Sequence, residues 1–75
     1  MNLQRNVPES KQWHGSPYDR GSADSYYGRA AEPHYWPEGT YVGTKVEESA
    51  MSTAQVDEYF IGFDLNEFSQ NRKEW

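Results

Sequence analysis

The beginning of a helix at Ser52 is the feature of this chain that most restricts its fold. A serine N-cap accepts a hydrogen bond from the backbone three residues on. Gln55 at that position can bond back to the Ser52 N–H, which completes a capping box. Met51 and Val56 have the spacing of a hydrophobic staple, and apolar residues then recur at Val56, Tyr59, Phe60 and Phe63. The pattern predicts a helix from Ser52 to about Phe68, whose apolar stripe must pack against the remaining chain.

The core that this stripe can join is small and rich in aromatic rings. The chain has 75 residues, and a domain of that size buries only about 60% of its unfolded surface. Hydrophobic residues make up 35% of the sequence and aromatic residues 16%, so rings supply nearly half of the apolar side chains. Each ring buries roughly 150–250 Å², which lets a few of them form a core. The chain has no cysteine, so neither a disulfide nor a thiolate metal site stabilises it.

The first 12 residues predict a flexible N-terminal arm. They are polar and show little periodicity, so nothing in them offsets the entropy lost on ordering. Trp13 is the first residue large enough to anchor the chain, and residues 13–75 are therefore expected to form a single small domain. No stretch approaches the ~20 apolar residues of a membrane span, and residues 1–5 lack a signal-peptide core, which favours a cytoplasmic protein.

A second, shorter helix is predicted from Pro17 to about Gly28. Ser16 can cap it, and proline suits the first helical position because its missing N–H has no helical partner there. Gly28 suits a left-handed C-cap. Gly21 and Ser22 are poor helix formers, so a helix broken at that point is the alternative.

The segment between the two helices is predicted to contain a loop and then a β-hairpin. Residues that precede Pro33 and Pro37 are pushed towards extended backbone, so residues 32–39 are predicted as a loop whose bulky His-Tyr-Trp triplet packs partly inward. Residues 40–42 and 45–47 are β-prone and flank a Gly-Thr pair, which is typical of a two-residue hairpin turn.

Gly62 interrupts the main helix, where glycine costs about 1 kcal/mol relative to alanine. Its presence indicates that a neighbouring backbone or aromatic ring approaches the helix closely at this point. The predicted elements combine into an α+β fold, a small single domain with a short N-terminal helix, a small β-hairpin and a main C-terminal helix.

The residue patterns that support catalysis or metal binding are missing from the sequence. His14 and His34 could ligate a metal together with Asp19, Asp24 or Glu38, but these residues do not have the spacing that is diagnostic of a metal site. Ser16 lies near His14, but nothing marks a third orienting group for a nucleophile. Residues 39–43 contain two glycines without the lysine and spacing of a phosphate-binding loop. We therefore expect no enzyme, no metal site and no cofactor.

The distribution of charge defines a first candidate surface. The net charge is −5, and residues 46–71 contain six acids and no lysine or arginine, whereas residues 1–45 hold five acids and five bases. The helical positions predict an acidic face formed by Asp57, Glu58, Asp64 and Glu67. Such a row can bind a basic groove on a partner by electrostatic complementarity. A solvated face that only keeps the protein in solution is the alternative.

Arginine and aromatic residues in the middle of the chain define an alternative surface. Interleaved arginines and rings can stack the bases of single-stranded nucleic acid. The same pattern also arises when rings form the core and arginines pair with nearby acids, and the segment has no net positive charge to attract phosphates. The members of this surface are Arg20, Tyr26, Tyr27, Arg29, Tyr35 and Trp36.

A distinctive block begins with Ser-Pro-Tyr-Asp-Arg-Gly at Ser16 and continues to Arg29. In this block the chain resembles a family of small uncharacterised proteins of tailed bacteriophages and prophages. The resemblance implies a phage-derived protein in the cytoplasm of a bacterial host cell, and it covers about residues 13–75. It continues at Pro33-His34, at residues 39–41 and 59–63, at Asn66-Glu67 and at residues 73–75.

Together these features predict a non-enzymatic interaction protein that binds a host or phage macromolecule. A protein partner bound through the acidic helix face is favoured. The alternative is a nucleic-acid-binding accessory protein that uses the Arg/Tyr/Trp cluster. A homodimer that buries its aromatic residues between two chains is a third interpretation, and no membrane partner is expected.

Overall fold

A computed structural model describes residues 7–70, 72 and 73 of the chain. It contains two helices, α1 (Pro17–Tyr26) and α2 (Thr53–Ser69), and an antiparallel pair of two-residue strands, β1 (His34–Tyr35) and β2 (Val46–Glu47). Single turns of 3-10 helix lie at Glu9–Lys11 and Glu48–Ala50. The architecture confirms the predicted small α+β domain with a short N-terminal helix, a β-hairpin and a main C-terminal helix.

Helix α2 begins as its capping residues predict. The Ser52 hydroxyl accepts from the Gln55 N–H at 3.1 Å, and the Gln55 side chain accepts from the Ser52 N–H at 2.9 Å. The predicted apolar stripe is only partly buried, because Tyr59 is fully buried while Phe60 is 37% exposed. The buried line of α2 runs through Tyr59, Gly62 and Asn66 instead, which turns Phe60 to the side.

Helix α1 runs unbroken through the Gly-Ser pair at which a break was the alternative. The Ser16 hydroxyl accepts from the Asp19 N–H at 3.1 Å, with Pro17 in the first turn. The side of α1 that faces the domain interior is mainly polar and carries Arg20, Gly21, Asp24 and Ser25. The interface between the helices therefore depends on close backbone contact and hydrogen bonds more than on aliphatic packing.

The two helices cross at a pair of glycines. A Cβ atom on Gly21 would lie 1.9 Å from the carbonyl oxygen of Tyr59, and a Cβ atom on Gly62 would lie 2.2 Å from the carbonyl oxygen of Tyr18. Neither position admits a side chain while the helices stay at this distance. The contact at Gly62 is the close backbone approach that the sequence predicts.

The hairpin forms, but its first strand is not the predicted one. His34 lies opposite Glu47 and Tyr35 lies opposite Val46, so β2 falls within the predicted residues 45–47. The prediction of a strand at residues 40–42 is wrong. Tyr41 has a left-handed backbone with φ of 66°, which a β-strand does not contain.

The structure from Val7 to the start of α1 packs against the domain. Val7 is buried, and its carbonyl accepts a hydrogen bond from Gln12 Nε2 at 2.6 Å. Lys11 lies 3.5 Å from Glu58 of α2. The first six residues of the predicted arm lie outside the described residues, as do Glu74 and Trp75 of the phage-like pattern. Neither described helix is long and apolar enough to cross a membrane.

The close contacts at Gly21 and Gly62 predict that Gly→Ala destabilises this protein, the opposite of its usual effect in a helix. In an open helix, Gly→Ala stabilises by about 1 kcal/mol. Here Gly21→Ala and Gly62→Ala should each lower the free energy of unfolding by about 1–3 kcal/mol or more, because the new methyl group meets the backbone of the other helix. Urea unfolding followed by circular dichroism measures the change.

Two variants make this test specific. Gly28→Ala is the control, since φ is 72° there but no atom lies within 4 Å of the new Cβ. It should cost only about 1 kcal/mol from backbone strain. The double variant of Gly21 and Gly62 should lose less than the sum of the single losses, since one separation of the helices accommodates both methyl groups. A Gly21→Ala protein as stable as the wild type would contradict the contact.

Candidate functional site

A buried polar cluster lies where α1 faces α2 and the hairpin. Tyr59 is completely buried, and its hydroxyl donates a short hydrogen bond to Asp24 Oδ2. The same hydroxyl accepts from the backbone N–H of Glu32 at 2.9 Å. Tyr59 therefore joins α2 to α1 and to the segment that leads into β1.

His34 of β1 is held by two partners that fix its tautomer. Its Nδ1 lies 2.7 Å from the carbonyl oxygen of Glu32, which can only accept, so Nδ1 carries the hydrogen. Its Nε2 accepts from Arg20 Nε at 3.3 Å, since a guanidinium can only donate. The hydrogen-bond pattern is that of a neutral imidazole with both nitrogens used.

Asp24 is the acid of this cluster and is almost fully used by protein donors. Its Oδ2 accepts from Tyr59, and its Oδ1 lies 3.4 Å from Arg29 Nη1. The Arg29 guanidinium also lies over the ring of Tyr27, 4.8 Å from its centroid. Asp24 is only 3% exposed, so its contacts with Tyr59 and Arg29 compensate the cost of burying the carboxylate charge.

Arg20 is a buried cation without a carboxylate partner. The residue is 6% exposed, and its Nε donates to His34, while its guanidinium lies 5.6 Å from the centroid of the Tyr41 ring. Among the described residues, no carboxylate oxygen lies within 4 Å of its nitrogens. Buried charges in proteins are normally paired, so this arginine marks the cluster as a candidate binding site.

A cavity of about 290 Å³ opens next to Arg20. We name it the Arg20 cavity. Its wall combines three cations, two acids and three rings. The indole Nε1 of Trp36 is buried and has no hydrogen-bond partner in the part of the chain that the structure describes. The charged and aromatic lining residues are Arg20, Arg29, Lys45, Asp24, Glu32, His34, Trp36 and Tyr41.

The structure spreads the predicted Arg/Tyr/Trp cluster over several sites, with a contact between Arg29 and Tyr27 joining two of them. Arg20, Arg29 and Trp36 all line the Arg20 cavity. Tyr26 and Tyr27 stack edge-to-face on each other at the end of α1, with centroids 5.0 Å apart. The remaining member, Tyr35, packs edge-on against Trp13 with centroids 6.4 Å apart, and its hydroxyl accepts from Gln55 Nε2 at 3.2 Å.

The sequence pattern does not identify several residues of the Arg20 cavity and of the buried cluster beside it. It predicts a hairpin for Lys45 and Tyr41, which line the cavity, and an apolar stripe for Tyr59, which belongs to the cluster. The sequence carried one usable signal, because a tyrosine at the centre of an apolar stripe needs a polar partner for its hydroxyl when it is buried. That signal does not name the partner, which lies 35 residues away at Asp24.

The predicted acidic face is also divided by its contacts. Glu58 pairs with Lys11, and Glu67 accepts from Ser25 Oγ and from Arg72 Nη2, each at 2.6 Å. Asp57 and Asp64 are exposed on the outer side of α2.

Apolar side chains share that outer side of α2. Phe68 is 87% exposed and Leu65 is 38% exposed, and Ile61 is half-buried. We name this surface the α2 outer face and define it by Asp57, Ile61, Asp64, Leu65 and Phe68.

No metal centre is evident in the part of the chain that the structure describes, where no group of three or more acids and histidines is placed to hold an ion. Comparisons with protein-family models, curated proteins and solved structures found no match to this chain.

Tyr59 gives the cluster a measurable dependence on pH. Burial, and then the hydrogen bond to Asp24, raise the pKa of Tyr59 well above the ordinary value of tyrosine. A raised pKa in the folded state means that this stabilisation is complete below about pH 10 and is lost as the pH rises towards the folded pKa. In that window the free energy of unfolding should fall by up to about 1.4 kcal/mol per pH unit through this residue.

Tyr59→Phe tests this account. At neutral pH it should lower the free energy of unfolding by about 2–3 kcal/mol, because Asp24 and the Glu32 N–H lose a buried partner. Above about pH 10 its free energy of unfolding should fall less steeply with pH than that of the wild type, because the variant releases about one proton fewer on unfolding. Urea unfolding at a series of alkaline pH values measures both slopes. Tyr41→Phe, which removes a hydroxyl from an exposed ring, is the control, and equal slopes for Tyr59→Phe and wild type would refute the assignment.

Proposed function

We propose that this protein is a non-enzymatic interaction protein that docks on another protein through the α2 outer face. The observation that carries this proposal is the exposure of Phe68, which is 87% accessible at the end of a well-capped helix. Exposed aromatic residues next to aliphatic ones are typical anchors of protein interfaces, because they remove a large apolar area from water on binding.

The α2 outer face is one continuous surface. At 100° per residue, the positions of its five members fall within an arc opposite the buried line of Tyr59, Gly62 and Asn66. A helix at the surface of a domain normally carries polar residues on this side. Here the exposed Leu65 and Phe68 and the half-buried Ile61 occupy it, so the packing of the described residues leaves much of this side exposed.

The acids on the same face specify the chemistry of the partner. Asp57 and Asp64 lie seven residues apart, which places them one above the other on the helix. An apolar groove rimmed by lysine or arginine would receive the apolar residues and oppose the acids with positive charge. A second copy of this chain fits less well, because each acid would meet an acid-bearing surface in a protein of net charge −5.

The surface is narrower than the acidic row that the sequence suggested. Glu58 and Glu67 fall outside the arc of this face, where they contact Lys11, Ser25 and Arg72. The resemblance to phage proteins in residues 16–29 makes a host or phage protein the partner class of this proposal. Docking by this face needs no cofactor and no catalytic residue.

Affinity capture with matched variants tests the proposal. Tagged wild-type protein, Phe68→Ser, Asp57→Lys and the control Val42→Ser are compared as baits in bacterial lysate with quantitative mass spectrometry. Val42 is 52% exposed in the connection before β2, away from the α2 outer face. The captured amount of a true partner should be unchanged with Val42→Ser and should fall about tenfold or more with Phe68→Ser. It should also fall with Asp57→Lys, because the basic rim of the partner then meets a lysine.

Two outcomes would overturn this function. Equal capture of every protein by all four baits would mean that the exposed face recognises nothing. Sedimentation that shows a wild-type dimer and a monomeric Phe68→Ser protein would assign the face to self-association instead. Circular dichroism of each bait ensures that losses arise from the surface and not from unfolding.

A further inference from the structure

The Arg20 cavity is lined by hydrogen-bond donors that the described protein does not satisfy. The buried guanidinium of Arg20 uses its Nε for His34 and has no carboxylate partner among the described residues. The Nε1 of Trp36 has no acceptor among the described residues, but this atom is buried and does not open into the cavity. Lys45 is exposed and forms no ion pair within the described chain. Unmet donors in a concave site point to an acceptor-rich ligand.

The charges of the cavity select an anion. Three cations line it against two acids, and one of those acids, Asp24, already accepts from Tyr59 and Arg29. Arg20 and Lys45 therefore face Glu32 as the one remaining acid of the lining. This surplus of positive charge occurs in a chain of net charge −5, so it is a local arrangement and not a consequence of composition.

A neighbouring cavity of similar size shows the contrast. It shares Lys45, Glu32 and His34, and the rest of its lining is Ala31, Pro33, Glu47 and Glu48. Acids outnumber cations there, which would repel an anion. An anion at this end of the hairpin is therefore directed to the Arg20 cavity.

We propose that the Arg20 cavity binds a phosphate group through Arg20, Arg29 and Lys45. A phosphate offers three oxygens that point in different directions, and the three cations come from α1, from the segment after α1 and from the residue before β2. Guanidinium groups bind phosphate through paired hydrogen bonds, and a lysine adds a point charge. A planar carboxylate has two oxygens in one plane and would satisfy fewer of these donors.

The size of the cavity leaves room for what carries the phosphate. Its volume of about 290 Å³ is at the lower end of the range of small-molecule sites. Trp36 and Tyr41 form an edge-to-face pair with centroids 5.5 Å apart in its wall. Such rings can contact a planar group attached to the phosphate.

Three sources share this chemistry, and the experiment separates them. The probes are inorganic phosphate, a nucleoside 5′-monophosphate and a short single-stranded oligonucleotide, with acetate as the carboxylate control. Each is titrated into the full chain at constant ionic strength up to about 20 mM, and binding is read from thermal stabilisation of the fold. Tryptophan fluorescence gives a second readout, because Trp36 lines the cavity.

Lys45→Gln is the informative variant, because Lys45 is exposed and its loss leaves the buried cluster intact. It should weaken binding of the phosphate-bearing probe about tenfold, the effect of one charge-assisted contact. Lys11→Gln removes the same charge outside the cavity and should leave this affinity unchanged. Phe68→Ser should also bind phosphate as the wild type does, which separates this site from the α2 outer face.

The outcomes decide the proposal in either direction. Binding of a phosphate-bearing probe that Lys45→Gln weakens and Lys11→Gln does not would support it. The tightest such probe then identifies the source, whether a free phosphate, a nucleotide or a nucleic-acid backbone. No stabilisation by any phosphate-bearing probe, equal binding of acetate, or equal weakening by the two lysine variants would overturn it.

Discussion

The close approach of Gly21 and Gly62, each to the backbone of the opposite helix, sets the distance between the helices, and the rest of the structure depends on that distance. Val7 and Tyr59 are the buried hydrophobic residues of the described chain, so little aliphatic packing is available to hold the domain together. Backbones that touch bring polar side chains within reach of each other, as where Asn66 Nδ2 donates to Ser25 Oγ at 2.8 Å. A wider crossing would leave these groups buried without partners, which costs more than their hydrogen bonds gain.

The same geometry explains why the Arg20 cavity is rich in donors. Tyr59 reaches α1 because the helices are close, and its hydroxyl takes one oxygen of Asp24. Arg29 takes the other oxygen, so the buried acid nearest to Arg20 has little capacity left. Arg20 then donates to Nε2 of His34, which positions the guanidinium without supplying a negative charge. Packing of the domain thus leaves a positive group at the cavity wall.

The parts of this fold that local chemistry decides could be predicted from the sequence. Both helix starts depend on residues within three positions, Ser52 with Gln55 and Ser16 with Pro17. Strand β1 could not be predicted, because the position of a two-residue strand depends on which segments meet in the fold. The residue after β1, Trp36, is held by a long-range hydrogen bond from its backbone N–H to the Gly15 carbonyl at 2.7 Å. For the same reason the sequence grouped Arg20, Arg29 and Trp36 but not Lys45, which joins them only through the hairpin.

The overall charge of the chain bears on which phosphate source suits the cavity. Electrostatic attraction brings nucleic acids to basic proteins, whereas a chain of net charge −5 repels a polyanion that comes within a Debye length, about 8 Å at physiological salt. A small ligand with one phosphate meets less of this repulsion, since its charge lies entirely within reach of Arg20 and Lys45 once it enters the cavity. Short-range donors in an acidic protein therefore favour a compact phosphate over an extended nucleic-acid backbone. The acids of the α2 outer face, by contrast, would act through the long-range field on the large basic partner proposed for that face.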